Sequence, residues 1–244
     1  MPSSEEFLAP QCSVERLDTC LSRRSIVDAL TEHLPRLEGV VLDIGCGQKS
    51  YKPLLLSKRT RVTRYIGLDI KGSKHPDAAD PPDLEWDGVN MPLESGSIDC
   101  AIATEMLHQC QRPEIVLAEA ARVLKPEGTL FISVPFLWPV HDGPADQVRF
   151  TPFALERHLH DAGFQKIRIV ALGGWDASLA QMLGLWVRRR PMRRRYRAIL
   201  SRVAQPLIRL LMGSDRRPDL SQAIDSTIMV TGLAATAVNG PRSG

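Results

Sequence analysis

Two groups of residues in this chain have types and spacing that could do chemistry. The first is an ordered series of acids and glycines: Asp43-x-Gly45-x-Gly47, then Asp69, then Asp87-Gly88, then Glu105. Glycines let backbone approach a ligand with no Cβ in the way. A carboxylate about twenty residues further on can accept both hydroxyl protons of a ribose. This is the chemistry of nucleoside binding. Asp43, just ahead of the glycines, suits a ligand carrying an ammonium and a sulfonium and would be a poor neighbour for a pyrophosphate. Ser50 stands where a dinucleotide fingerprint has its third glycine. The second group is His141-Asp142-x-x-x-Asp146 with Arg149, inside the loop from Pro135 to Pro152. A neutral imidazole accepts a proton near pH 7, so His141 is the candidate general base, oriented by Asp142 or Asp146. His108 is a second candidate. The same cluster, His141, Asp142 and Asp146, is alternatively a Mg2+ site, and His141 could instead only hydrogen-bond its loop. Arg149 either meets an anionic acceptor or pairs with Asp146 to hold the loop.

These residues need elements to position them. Val40–Ile44, Arg64–Ile70, Ile98–Ala103 and Thr129–Val134 are short apolar runs, read as buried strands, and the first two each carry an acid near their ends. Residues 113–124 and 153–162 have helical spacing; Lys125-Pro126-Glu127-Gly128 and Gly163 stop them. Further strands are expected over 166–172 and 227–238, and a Pro/Asp/Gly-rich loop over 72–96. Leu17 to Leu34 leads in as helix, with Ser25-x-x-Asp28 as a capping box. Alternating strands and helices predict an α/β, Rossmann-like, doubly wound and mainly parallel seven-stranded sheet. Ligands collect at the carboxyl ends of such strands. Residues 1–24 are expected to form a tail and helix, and 25–240 the domain.

The strands' order and wording resemble the class I S-adenosylmethionine-dependent methyltransferases (type 11-like) over roughly residues 38–172. The resemblance rests on VVLDIGCG, YIGLDI, MPLESGSIDCAIATEMLHQC and ARVLKPEGTLFISVPF. It implies S-adenosylmethionine as cofactor, with Gly45, Cys46 and Gly47 facing its methionine portion beside Asp43. It further implies Asp69 at the ribose hydroxyls, Asp87 at the adenine amino group, Ile70 and Gly88 as further cofactor contacts, and Glu105 lining the pocket. Gln109 and Glu127 depart from the family's usual histidine and glycine, at a helix and a turn. The loop is similar to a narrower group linked to glycan and glycolipid assembly, at positions His141, Asp142, Asp146, Arg149, Phe150 and Thr151. The implied activity is O-methylation of a sugar, oligosaccharide or glycolipid precursor. The rivals are a small phenol, quinone or polyketide acceptor, an NAD(P)-dependent oxidoreductase, and an idle binding module.

Composition sets the remaining bounds. The net charge is +3, yet residues 188–209 hold nine arginines and no acid, so the remainder sums to −6. A basic patch on an acidic body does not suggest a nucleic-acid-binding domain. Residues 176–222 are expected to be a helical insertion before the last strand, acting as a lid, a dimer element or a peripheral membrane contact. Five scattered cysteines without a C-x-x-C pair predict reduced thiols and a cytoplasmic protein. No signal peptide is visible, and no stretch approaches the ~20 apolar residues of a membrane span.

Overall fold

The computed structural model describes residues 7–72, 80–141, 143–220 and 227–241. Seven strands form one sheet: β1 (Glu38–Ile44), β2 (Arg61–Ile70), β3 (Leu84–Trp86), β4 (Ile98–Thr104), β5 (Leu124–Pro135), β6 (Phe164–Ala171) and β7 (Gly232–Asn239). Their order across the sheet is β3-β2-β1-β4-β5-β7-β6. The β3 to β5 side is parallel throughout, and β7 runs antiparallel between β5 and β6. The expected Rossmann-like, doubly wound sheet is therefore present.

Alternation along each central strand decides which helices cover which face. Leu42, Ile44, Ala101, Ala103, Leu130, Ile132 and Val134 pack on one side with Val116, Leu117, Ala120 and Val123 of α3 (Pro113–Val123) and Leu155 and Leu159 of α4 (Pro152–Asp161). Earlier in the chain, α1 is Cys20–His33 and α2 the short Lys52–Leu55. Val41, Cys100, Ile102 and Phe131 point to the other face, where Ile26, Val27 and Leu30 of α1 cover them. The sheet is thus a filled sandwich, and its free chemistry lies at the strand ends.

Between β6 and β7 come α5 (Trp175–Arg189) and α6 (Arg194–Ser214), which runs on through Pro206. Asp215 at the end of α6 accepts bonds from the backbone amides of Gly174 and Ala177, capping α5 and closing the hairpin at its base. The N-terminal segment packs close by: a Cβ on Gly184 would lie 2.1 Å from the carbonyl oxygen of Leu17.

Four local expectations need correction. Cys12 and Cys20 form a disulfide, so the five cysteines are not all thiols; Cys46, Cys100 and Cys110 are free. Helix α1 already starts at Cys20, so Ser25 lies inside it and caps nothing; its hydroxyl donates to the carbonyls of Leu21 and Ser22. The stretch 72–96 contains the three-residue strand β3. Finally, β5 begins at Leu124: Ile98 pairs with Leu124 and Cys100 with Thr129, so Lys125–Gly128 bulges out within the ladder. Glu127, at φ 62°, takes the left-handed turn there without glycine.

Candidate active site

The strand ends of β1 and β2 build the first group. After Ile44 the chain turns sharply: Gly45 and Gly47 have φ of 73° and 50°, and the amides of Gly45 and Cys46 both donate to the carbonyl of Leu68. A Cβ on Gly45 would meet Met106 Cβ at 2.7 Å. Glycine is therefore required there by both conformation and space. Asp69 ties the turn to β2: its Oδ2 accepts from the Gly47 amide at 3.1 Å and its Oδ1 from the Ile70 amide at 2.7 Å. Cys46 is buried, with its sulfur against Gly67; burial pushes its thiol up to about 12, so it is no nucleophile.

Asp43 sits under this turn, 1% exposed. Its Oδ2 accepts from the Tyr65 hydroxyl at 2.7 Å, whereas its buried Oδ1 has no hydrogen-bond partner among the described residues. Burial pushes this carboxyl up to about 7; the Tyr65 bond opposes the rise and neighbouring Asp69 adds to it. Such an orphaned acid is what a ligand cation would satisfy.

Glu105 follows β4 at φ 51°, its amide donating to the Ser133 carbonyl and its Oε1 accepting from the Ser133 hydroxyl at 2.9 Å. Burial raises it also to about 7, with the Ser133 bond and the Arg149 charge opposing. Beyond β3, Asp87 is exposed and folds into a turn in which its Oδ1 accepts from the amides of Val89 and Asn90. Ile70 and Val89 are each 50% exposed, and Ile70 reaches to 3.5 Å from the Cβ position of Gly88. These two side chains form an exposed apolar pair at the ends of β2 and β3.

Sequence reasoning missed the support beneath these groups. Lys49, in a left-handed conformation and 3% exposed, bonds Asp83 at 2.7 Å and Asp80 at 2.9 Å. Asp83 in turn accepts from the Gly67 amide. A lysine two residues after a Gly-x-Gly turn was the available signal. Asp99 stands apart, at the opening of β4: it accepts from the Val40 amide and pairs with Lys125 at 2.6 Å, which is a clamp between strands.

The loop after β5 supplies the second group. Its start is anchored by the amides of Phe136 and Leu137, both donating to the Thr231 carbonyl, and by the Gln181 side chain on the Leu137 carbonyl. Its end is anchored where the amides of Gln147 and Val148 donate to the His108 carbonyl. Asp146, its side chain 2% exposed, is gripped through both oxygens by Arg149, with the second contact at 2.7 Å. That grip holds its carboxyl well below the usual carboxylate range. Arg149 also reaches the carbonyls of Trp138, Pro139 and Val148. The pairing of Arg149 with Asp146, one of its two readings, is present and holds the loop.

His141 lies inside this frame. Its amide donates to Asp146, and its Nδ1 is 3.3 Å from both Asp146 Oδ2 and the Pro139 carbonyl. Two acceptors stand beside Nδ1, an arrangement that favours a proton on that nitrogen. His108, from the turn of 3-10 helix at Leu107–Gln109, is 1% exposed and stacks on His141 with ring centres 5.4 Å apart. The two candidate bases therefore occupy one place. His108, His141 and Asp146 offer ligand atoms all within 4.8 Å of one another. Asp142 lies outside the described residues. Phe150 and Thr151 have structural work instead. Phe150 is buried in the core, and the Thr151 hydroxyl accepts from the Ala154 amide to cap α4, with Pro152 in its first turn.

Comparison with known proteins agrees with this geometry. Residues 42–132 match the model of the methyltransferase domain family, and those residues run from β1 into β5. The fold is shared with an S-adenosylmethionine-dependent methyltransferase from Thermotoga maritima (TM-score 0.56, 15% identity, 96% of this chain and 93% of that one). The chain is thus similar to methyltransferase domains over residues 42–132 and shares the fold of such an enzyme. Among curated relatives, an uncharacterised 37.1 kDa protein of a Streptomyces fradiae transposon is 30% identical over 130 residues, covering 50% of this chain. The chain spans 38% of that relative's length. A malonyl-[acyl-carrier protein] O-methyltransferase from Methylococcus capsulatus is 28% identical over 220 residues, covering 81% of this chain and 79% of its own.

Proposed function

We propose that this chain is an S-adenosylmethionine-dependent O-methyltransferase acting on a hydroxyl of a sugar, oligosaccharide or glycolipid precursor, with His141 as general base. The observation that carries it is the adjacency of two differently built half-sites. One is an acid-lined nucleoside cleft with an orphaned buried carboxylate oxygen. The other is a histidine whose Nδ1 faces two acceptors, in the loop at the end of β5, on a frame whose Arg149 acts on Glu105.

When bound, the cofactor supplies a methyl group on a sulfonium. Asp43 and the Gly45–Gly47 turn would hold its methionine end, with Asp43 opposite the ammonium. Asp69 would take the ribose hydroxyls, and Asp87, Gly88, Ile70 and Val89 the adenine. The chain's remaining task is to aim an acceptor oxygen behind the methyl carbon and take its proton. His141 Nε2 receives that proton. Asp146, kept ionised by Arg149, then stabilises the imidazolium through Nδ1–H. The Methylococcus relative supports oxygen as the acceptor atom by its name. An acceptor that is already a carboxylate needs no base, so the base distinguishes a hydroxyl acceptor from that kind.

The cluster of His108, His141 and Asp146 favours a second reading, a metal site. Two imidazoles and one carboxylate suit Zn2+ or Mn2+ better than Mg2+. A metal would also have to draw Asp146 from Arg149, and the base reading keeps that pair intact.

The test is incubation with labelled S-adenosylmethionine and a cell extract, followed by identification of the labelled product and assay of His141→Ala on it. A methyl ether on a sugar, lost in the variant, is the expected result. A methyl ester or methylamine product refutes the acceptor class, and activity lost to a chelator but regained with metal refutes the base.

A further inference from the structure

Between β6 and β7 the helical hairpin carries a surface that the reaction does not use. Helix α6 turns Ser201, Ala204 and Ile208 inward, where they pack with Leu17, Leu21, Ala180 and Val187. On another face stand Tyr196, Ile199, Val203, Leu207 and Leu210, between 48% and 68% exposed. Steps of three and four residues align all five along one side of the helix. Arg195, Arg202 and Arg209 follow each other at intervals of seven, which places them in a single row on the helix. On a helical projection at ~100° per residue that row lies beside the apolar stripe, on the side away from the packed face. Nearby, Trp175, Leu179, Met182 and Trp186 form a second exposed apolar stripe, on α5. Of the nine arginines in residues 188–209, Arg189 alone is in an ion pair among the described residues, with Asp18.

We propose that α6, with its arginine row, is a docking surface for an anionic lipid bilayer. No helix among the described residues is long and apolar enough to cross a membrane, so α6 would lie in the interface. The apolar stripe would enter the boundary of headgroups and acyl chains, and the arginines would meet lipid phosphates. Charge weighs against a second copy of this chain, because the same face would bring the same arginines, and the nearby acid Glu15 already lies within reach of Arg188 and Arg202. A nucleic acid would use the arginines but leave the five apolar side chains in water. The proposal stands independently of which acceptor is methylated.

The test is co-sedimentation of the full chain with phosphatidylcholine vesicles, with and without about 30 mol% phosphatidylglycerol. Binding is expected only with the anionic lipid. Arg195→Gln/Arg202→Gln should lower partitioning about 25-fold, at about five-fold per arginine near such a surface. Ile199→Ser/Val203→Ser/Leu207→Ser should lower it at least about ten-fold with every charge kept. All of these positions are exposed, and calorimetry with S-adenosylhomocysteine should show unchanged affinity, which separates loss of docking from loss of fold or of the cofactor site. The proposal is overturned if the wild type ignores anionic vesicles, or if the apolar triple variant binds them undiminished. A dimer in sedimentation velocity that the triple variant dissolves overturns it equally, since a second copy is then the occupant.

Discussion

Placed opposite the cofactor's ammonium as proposed, Asp43 would couple cofactor binding to pH, and the size of the effect follows from its burial. With its carboxyl pushed up to about 7, about one tenth is ionised at pH 6 and about nine tenths at pH 8. A ligand ammonium opposite the orphaned Oδ1 favours the ionised form, so affinity scales with the ionised fraction. S-adenosylhomocysteine, which keeps the ammonium, should therefore bind about ten-fold more tightly at pH 8 than at pH 6, about 1.4 kcal/mol. Titration calorimetry at pH 6 in two buffers of different ionisation enthalpy should register release of about one proton per ligand. Asp43→Asn should remove that share of the pH dependence, and Glu105→Gln measures any share of the second carboxyl. The apo protein must show the opposite trend. A folded-state value above the unfolded one means that Asp43's contribution is whole below about pH 4 and is lost as pH rises through about 7. The apo Asp43→Asn variant should therefore gain melting temperature against wild type at pH 8 more than at pH 5. A wild-type affinity flat with pH, or a slope undiminished in Asp43→Asn, would refute the placement of the ammonium.

Asp69→Ala removes the acceptor of the Gly47 amide and of the proposed ribose contact, and should weaken cofactor affinity by about 1.5–3 kcal/mol by calorimetry. His141→Ala should cut turnover on the identified acceptor by roughly 10²–10⁴-fold and leave cofactor affinity nearly unchanged; near-normal turnover would remove it as base. Asp146→Asn should lower kcat at constant cofactor affinity, since His141 loses the charge that steadies its protonated form. Gly45→Ala, forced into a left-handed conformation against Met106, should cost about 2–4 kcal/mol, read as a fall of roughly 4–16 °C in melting temperature.

Much of this arrangement was legible before the structure because strand ends announce themselves. Val40–Ile44 and Arg64–Ile70 are apolar runs that carry an acid near the end and lead into a turn, so Asp43 and Asp69 could be placed at the sheet's edge. Three kinds of feature escaped for physical reasons. The strand β3 is too short for a period of two to show among prolines and aspartates. The stacking of His108 on His141 joins two loops that only the completed sheet brings together. Lys49, Asp80 and Asp83 have no periodicity, and their mutual attraction is visible only once β2 has folded back. The segment ending in Arg149-Phe150-Thr151-Pro152 misled in a different way, because half of what resembled an acceptor motif is a helix cap and a core phenylalanine.

The position of β7 bears on how the molecule comes into being. It is the last of these seven strands to be synthesised, yet it lies between β5 and β6, with Phe131 opposite Thr236 and Ile169 opposite Ala235. Until residues 232–239 leave the ribosome, the half-made sheet ends at an unpaired β5 edge, and β6 has no strand beside it. A growing chain can assemble β1 to β5 early but must hold that edge open through more than ninety residues of helix, loop and strand. Nonsense truncations even a few codons before Gly232 should therefore yield chaperone-bound or aggregated product, although every residue named in the two half-sites has already been made.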